Sequence, residues 1–192
     1  MLRQVQLHRV CEGLTVASGF PAFVLDAAFL ALPALYHAGK GRNPAKELGF
    51  EVPPYDRLVK QTVTLFFALL ATSLLLSLVL GLLQANDLHK VGEQVGKIQQ
   101  AQPWMLYYLL SVRVVAEEGF FRGFLARKFG VWPSSGLFAL VHVFYGSVAE
   151  VLGAFVLGGL LAKAYKTNHS LIPNIFAHAL YNLAILKVFF WV

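Results

Sequence analysis

The sequence predicts an all-α fold, a polytopic transmembrane helical bundle of about six spans whose last four helices form a C-terminal core. Three observations predict it. Of the 192 residues, 57% are hydrophobic and only 14% charged, and the mean hydropathy is +0.62, more apolar material than a soluble domain of this size can bury. The apolar residues fall in long blocks, several reaching the ~20 residues that a bilayer-spanning helix needs. Most charged residues punctuate the stretches between those blocks.

The first block, about Leu14 to Tyr36, follows Arg3 and Arg9 and is longer than the apolar part of a secretory signal. It reads as a span, kinked at Pro21 and Pro33, with Asp26 packed against protein because a lone acid is costly toward lipid. His37 to Arg57, with its glycines, prolines and basic residues, reads as a connecting loop. The second span, Val59 to Leu83, is expected to face lipid and to carry little chemistry. Residues Gln84 to Gln102 are polar, with Val91, Val95 and Ile98 on one helical face, as in an amphipathic helix lying at the interface.

From Pro103, a residue suited to a helix start, an apolar helix runs to about Phe129. It contains Arg113, Glu117, Glu118 and Arg122, four charges where a bilayer tolerates them least. A break is expected at Gly130 and Pro133-Ser134-Ser135, followed by three spans at about Ser135 to Gly146, Ala149 to Tyr165 and Leu171 to Val192. The chain thus divides into an N-terminal two-span region with its loop and interfacial segment (1–102) and a core (103–192).

A formal charge of +6 carried between hydrophobic spans fits lipid headgroups and topology rather than nucleic acid. The single cysteine, Cys11, excludes an intramolecular disulfide and a multi-thiolate metal site.

The chemistry concentrates in the core. Arg113 and Glu117 are four residues apart, as are Glu118 and Arg122, so each acid has a base one helical turn away. Adjacent helical residues diverge by about 100°, which suits one structural acid and one chemical acid. Buried pairs of this kind also merely hold helices together, and a lone histidine on an apolar helix is often only a hydrogen-bonded core residue. Here, however, His142 sits in the middle of the fourth span, one turn after Phe138, and His178 sits in the sixth, one turn before Asn182. A bundle can bring such residues to one depth.

Peptide hydrolysis needs an activated water, a group that accepts and returns its proton, and donors for the oxyanion. Glu117 can act as base, His142 can orient the water, and His178 and Asn182 can donate to the oxyanion. With zinc, Glu117, His142 and His178 make a three-ligand set with an open fourth position; metal-free glutamate catalysis is the alternative. Ser147 reads as a polar residue near a helix end and Glu150 as a boundary charge on the same turn. Tyr55-Asp56 is placed in a loop. The sequence has no His-Glu-x-x-His, Gly-x-Ser-Gly or Gly-x-Gly-Asp motif, which sets aside three other intramembrane peptidase designs, and no inverted repeat of the kind common in carriers.

Glu117 to Arg122 resembles the EExxxR motif, Phe138 to His142 resembles FxxxH, and His178 to Asn182 resembles HxxxN. Their order on separate helices is similar to that of the CAAX protease and bacteriocin-processing (CPBP, or Abi) family of intramembrane proteases, the type II CAAX endopeptidases, over about Met105 to Leu186. The resemblance implies catalytic roles for Glu117, His142, His178 and Asn182 and supporting roles for Glu118, Arg122 and Phe138. It also implies metal dependence, a peptide or protein substrate near the membrane, and a multi-pass protein of a prokaryotic cell membrane. A catalytically silent scaffold or immunity factor of the same family is the alternative function.

Overall fold

The computed structural model describes residues 20–190, and every regular element among them is helical. Cys11, the start of the first expected span and the last two residues lie outside them. The elements are α1 (Phe20–Ala38), α2 (Pro44–Leu48), α3 (Tyr55–Leu82), α4 (His89–Ala101), α5 (residues 104–129), α6 (Val131–Val141), α7 (Val148–Asn168) and α8 (Ile172–Phe190).

Local sequence explains most of the boundaries. Asn43 caps α2 by accepting from the Lys46 N–H, and Gly49 ends it at φ 87°, a conformation that favours glycine. Tyr55 and Asp56 open α3 directly after Pro53-Pro54 instead of lying in a loop, because proline readily precedes a helix and acid suits its first turn. The break after α5 falls at Gly130 alone, at φ 95°. Pro133 lies in the first turn of α6, where its missing N–H leaves no bond unmade. α6 therefore stops earlier than expected, and His142 ends it rather than sitting mid-span. Its N–H turns back to the Ala139 carbonyl, the chain tightens into a 3₁₀ turn at Val143–Tyr145, and Gly146 closes the turn at φ 68°.

Among the described residues, two helices have the length and apolarity of a bilayer crossing, α3 and α7, and the stretches Phe23–Ala38 and Val131–Tyr145 are shorter apolar helices. The sequence-based count of about six is not reached by that measure. The 11 residues of α6 rise only ~16 Å, about half a hydrocarbon core, and α5 carries four charges. Part of α5 is also wound as π-helix, at Leu109–Arg113 and Glu118–Ala126. Such wide turns are rare and redirect side chains.

Among the described residues the helices close around three cores, the smallest made by Leu48 of α2, Tyr165 of α7 and Leu171 just before α8. Of the other two, Phe29 of α1, Ala116, Phe121 and Leu125 of α5, Phe138 of α6 and Ala154 of α7 form one, and Leu65 and Leu69 of α3, Leu157 and Leu161 of α7 and Ala177 of α8 form the second. Gly123 lets α2 approach α5, since a Cβ there would lie 2.9 Å from the Leu48 carbonyl oxygen. Elsewhere the outer faces of the helices are rich in exposed leucine, valine and phenylalanine, as a lipid-facing surface requires.

α4 is amphipathic as expected, with Val91 and Val95 buried. Its start is tied to that of α7. The Asp87 carboxylate accepts from the Ser147 hydroxyl (2.7 Å) and from the N–H groups of Ala149 (3.0 Å) and Val148 (3.1 Å), while Ser147 itself accepts from Glu150 N–H. Ser147 is thus the helix-end residue the sequence suggested. The Ala149 N–H first, then the Ser147 hydroxyl, hold the Asp87 carboxyl well below the usual carboxylate range. A depressed folded-state value gives a tie that is complete above the unfolded value, near pH 4, and is lost as pH falls below it toward the folded value. Exchange of the Val148 and Ala149 amides should therefore accelerate as pH falls below about 4, relative to intrinsic rates; Asp87→Asn should exchange faster at neutral pH and lose that pH dependence.

Candidate active site

Glu118 has no solvent exposure and Arg122 1%. A charge so placed must find partners within the protein. Arg122 Nη1 lies 3.2 Å from Glu118 Oε1 one turn away, and the guanidinium packs over the Phe138 ring at 4.0 Å from its centroid. Gly158 makes room for this stack, since a Cβ there would lie 3.0 Å from the Phe138 ring. Two further partners come from α8. His178 Nδ1 donates to Glu118 Oε1 at 2.9 Å, and Asn174 Nδ2 donates to Glu118 Oε2 at 3.2 Å and to the Leu161 carbonyl at 2.8 Å.

Glu117, the adjacent residue, points elsewhere. It is 4% exposed, and its Oε1 accepts from Arg113 Nε at 2.9 Å. Arg113 also reaches a helix outside the core: its Nη1 lies 3.8 Å from Asp26 Oδ2 in α1, and Tyr108 donates its hydroxyl to the same oxygen at 2.7 Å. Both pairs read from sequence spacing, Arg113 with Glu117 and Glu118 with Arg122, are present.

Glu117, His142, His178 and Asn182 all line one cavity of about 490 Å³, with Phe138 and Arg113 in the same wall. Glu118 and Arg122 stand behind it. His142 Nδ1 donates to the Phe138 carbonyl at 2.7 Å, which leaves Nε2 as the ring's acceptor in the neutral form. His178 commits Nδ1 to Glu118 and likewise keeps Nε2. Phe138 touches both rings, with centroids 4.5 Å from His142 and 6.3 Å from His178. The cavity thus combines these polar groups with apolar lining from Leu69, Leu80, Leu109, Leu157 and Ile185.

Two imidazoles and a carboxylate are suitable zinc donors. Among the described residues, however, no three His, Cys, Asp or Glu side chains are grouped to hold one ion, and one oxygen of Glu117 is already bound to Arg113. In this arrangement the three do not fit a closed ligand set.

Several residues in or behind the cavity were not singled out by the sequence. Asn174 lies one turn before His178, so Asn174, His178 and Asn182 repeat at a four-residue spacing on one face, a signal that was available. Glu150 occupies the boundary turn expected of it and also lines the cavity, with Tyr145, Tyr181, Ser73 and Ser77. The two serines belong to α3, so that helix is not purely lipid-facing. Nothing local in the sequence marks the tyrosines.

A family model described as "Rce1-like: Type II CAAX prenyl endopeptidase Rce1-like" matches residues 99–184. No curated protein and no solved structure matches the chain.

Removing one partner of the buried knot should be costly. Glu118→Ala is expected to lose about 3–5 kcal/mol by leaving Arg122 uncompensated, while Glu118→Leu combined with Arg122→Met should recover most of that loss. Unfolding in detergent, followed by circular dichroism, measures both.

Proposed function

We propose, from the match of residues 99–184 to the Rce1-like model of type II CAAX prenyl endopeptidases, that this chain is an intramembrane endopeptidase hydrolysing a peptide bond of a membrane-associated peptide or protein. The observation that carries the reading is the convergence of Glu117, His142, His178 and Asn182 on one cavity, although three different helices or their ends supply them. Residues 103–192 are the peptidase core, and the N-terminal helices pack around it. The protein crosses a prokaryotic cell membrane about six times in this reading, the charged helix α5 being flanked by α1, α6, α7 and α8, and the short α6 by α5 and α7.

In the reaction, water enters between Glu117 and His142. His142 Nε2 accepts one of its hydrogens and orients it, and the free oxygen of Glu117 takes the proton as the water oxygen attacks the scissile carbonyl carbon. The oxyanion that forms is stabilised by the Asn182 amide and by the His178 ring, which Glu118 holds in place through Nδ1. Collapse of the tetrahedral intermediate breaks the C–N bond, and Glu117 returns its proton to the departing amine. Glu118, Arg122 and Phe138 act through their neighbours by fixing the two imidazoles.

Zinc would be held by Glu117, His142 and His178 only in an arrangement other than the present one, in which they are not grouped to hold an ion. When so held it would polarise the carbonyl and acidify the water, and the three side chains would have to draw closer together.

The test is a cleavage assay on the full chain in lipid vesicles. Glu117→Gln and His142→Ala should each lower kcat/KM by about 10²-fold or more, with the unfolding temperature changed little. Asn182→Ala should cost about 10-fold to 10²-fold. A silent scaffold would show no cleavage in the parent protein. Stoichiometric zinc in active protein, lost in His142→Ala, would support the metal form; full activity after exhaustive chelation with no metal bound would remove it.

A further inference from the structure

The reaction above leaves one buried acid unused. Asp26 is 1% exposed, sits in the apolar helix α1 and lies outside the segment 99–184 that carries the family match. Its surroundings are specific. The Tyr108 hydroxyl donates to Oδ2 at 2.7 Å, and Phe23, one turn earlier on α1, packs edge-on against the Tyr108 ring with centroids 4.5 Å apart. The same Oδ2 lies 3.8 Å from Arg113 Nη1, while Arg113 Nε donates to Glu117 Oε1 at 2.9 Å. One guanidinium is therefore shared between a carboxylate of α1 and the candidate general base.

We propose that Asp26 is a positioning residue that keeps Glu117 available as a base. The inference rests on the peptidase reading and deepens it. Arginine facing a single carboxylate prefers a two-pronged grip in which two N–H groups hold both oxygens. Arg113 and Glu117, four residues apart on one helix, are free to close into that grip, and the resulting base would have neither oxygen open to water. Asp26 prevents this by drawing Nη1 toward α1. Glu117 is then held through Oε1 alone, and its second oxygen is left for the cavity. Tyr108 acts one step further back by seating the Asp26 carboxylate. The N-terminal helix thereby becomes part of the working site and not only a packing surface.

The proposal predicts a loss in turnover rather than in substrate binding. The experiment uses the full chain in phosphatidylethanolamine–phosphatidylglycerol vesicles, with the best-cleaved member of a quenched fluorescent peptide library carrying an acyl anchor. Asp26→Asn should lower kcat about 10-fold with KM within about twofold, and Asp26→Glu should recover part of the loss. Arg113→Gln should itself lower kcat, and adding Asp26→Asn to it should cost nothing more, because no guanidinium remains to be restrained.

An Asp26→Asn protein of unchanged unfolding temperature and unchanged kcat would overturn the proposal, as would full multiplication of the two losses or a change confined to KM. If Asp26→Asn does not fold, Tyr108→Phe must show the same kcat-only loss, or the proposal falls. Inactivity of the parent chain would instead refute hydrolysis itself and take this inference with it, whereas an active parent with an indifferent Asp26→Asn refutes the positioning role alone.

Discussion

A carboxylate without solvent exposure has to be satisfied by the protein around it, and the arrangement of the core follows from how Glu118 meets that demand. Its two oxygens are taken by His178 and Asn174 from α8, and Arg122 supplies the countercharge from its own helix. α8 is thereby fixed against α5. Arg122 in turn needs a surface for its guanidinium, which Phe138 of α6 provides, and Phe138 needs the bare backbone of Gly158 on α7. One buried charge thus sets the mutual placement of all four core helices.

The adjacent residue benefits from that rigidity. With α8 locked through Nδ1 of His178, the other ring nitrogen and Asn182, one turn on, are committed to the cavity wall that Glu117 also lines. His142 arrives from the end of α6, its ring fixed by the Phe138 carbonyl and tilted against the Phe138 side chain. Phe138 therefore links the buried knot to the open site: the same ring covers Arg122 on one side of the structure and steadies His142 on the other. The different surroundings of Glu118 and Glu117 rest on these contacts as much as on the turn of the helix.

Much of this was legible before any coordinates. Four-residue spacings led directly to both ion pairs and to the His178–Asn182 face, because a helix converts spacing into adjacency without help from the rest of the fold. Hydrophobic blocks located the helices but misjudged some of their ends. Pro133 looked like a breaker, although in a first turn it breaks nothing, and the tight turn closed by Gly146 shortened α6 so that His142 became terminal. Span counting suffered for a related reason, since apolar composition cannot tell a short or charged helix shielded by its neighbours from one that faces lipid. Least legible were partners distant in sequence. Asp26 is recognisably expensive where it stands, yet nothing in α1 says that its partners are Tyr108 and Arg113 of α5, and Asp87 gives no sign that it caps a helix 60 residues later.

The central claim is that Glu117 activates water for peptide cleavage within the membrane. The most direct measurement compares the peptides that accumulate in membranes and medium of cells carrying the parent protein with those of cells carrying Glu117→Gln at equal abundance. The account predicts a defined set of cleaved termini present only with the parent and abolished by the single-atom change from carboxylate to amide. Identical peptide profiles, with both proteins folded and substrate-bearing membranes present, would contradict it.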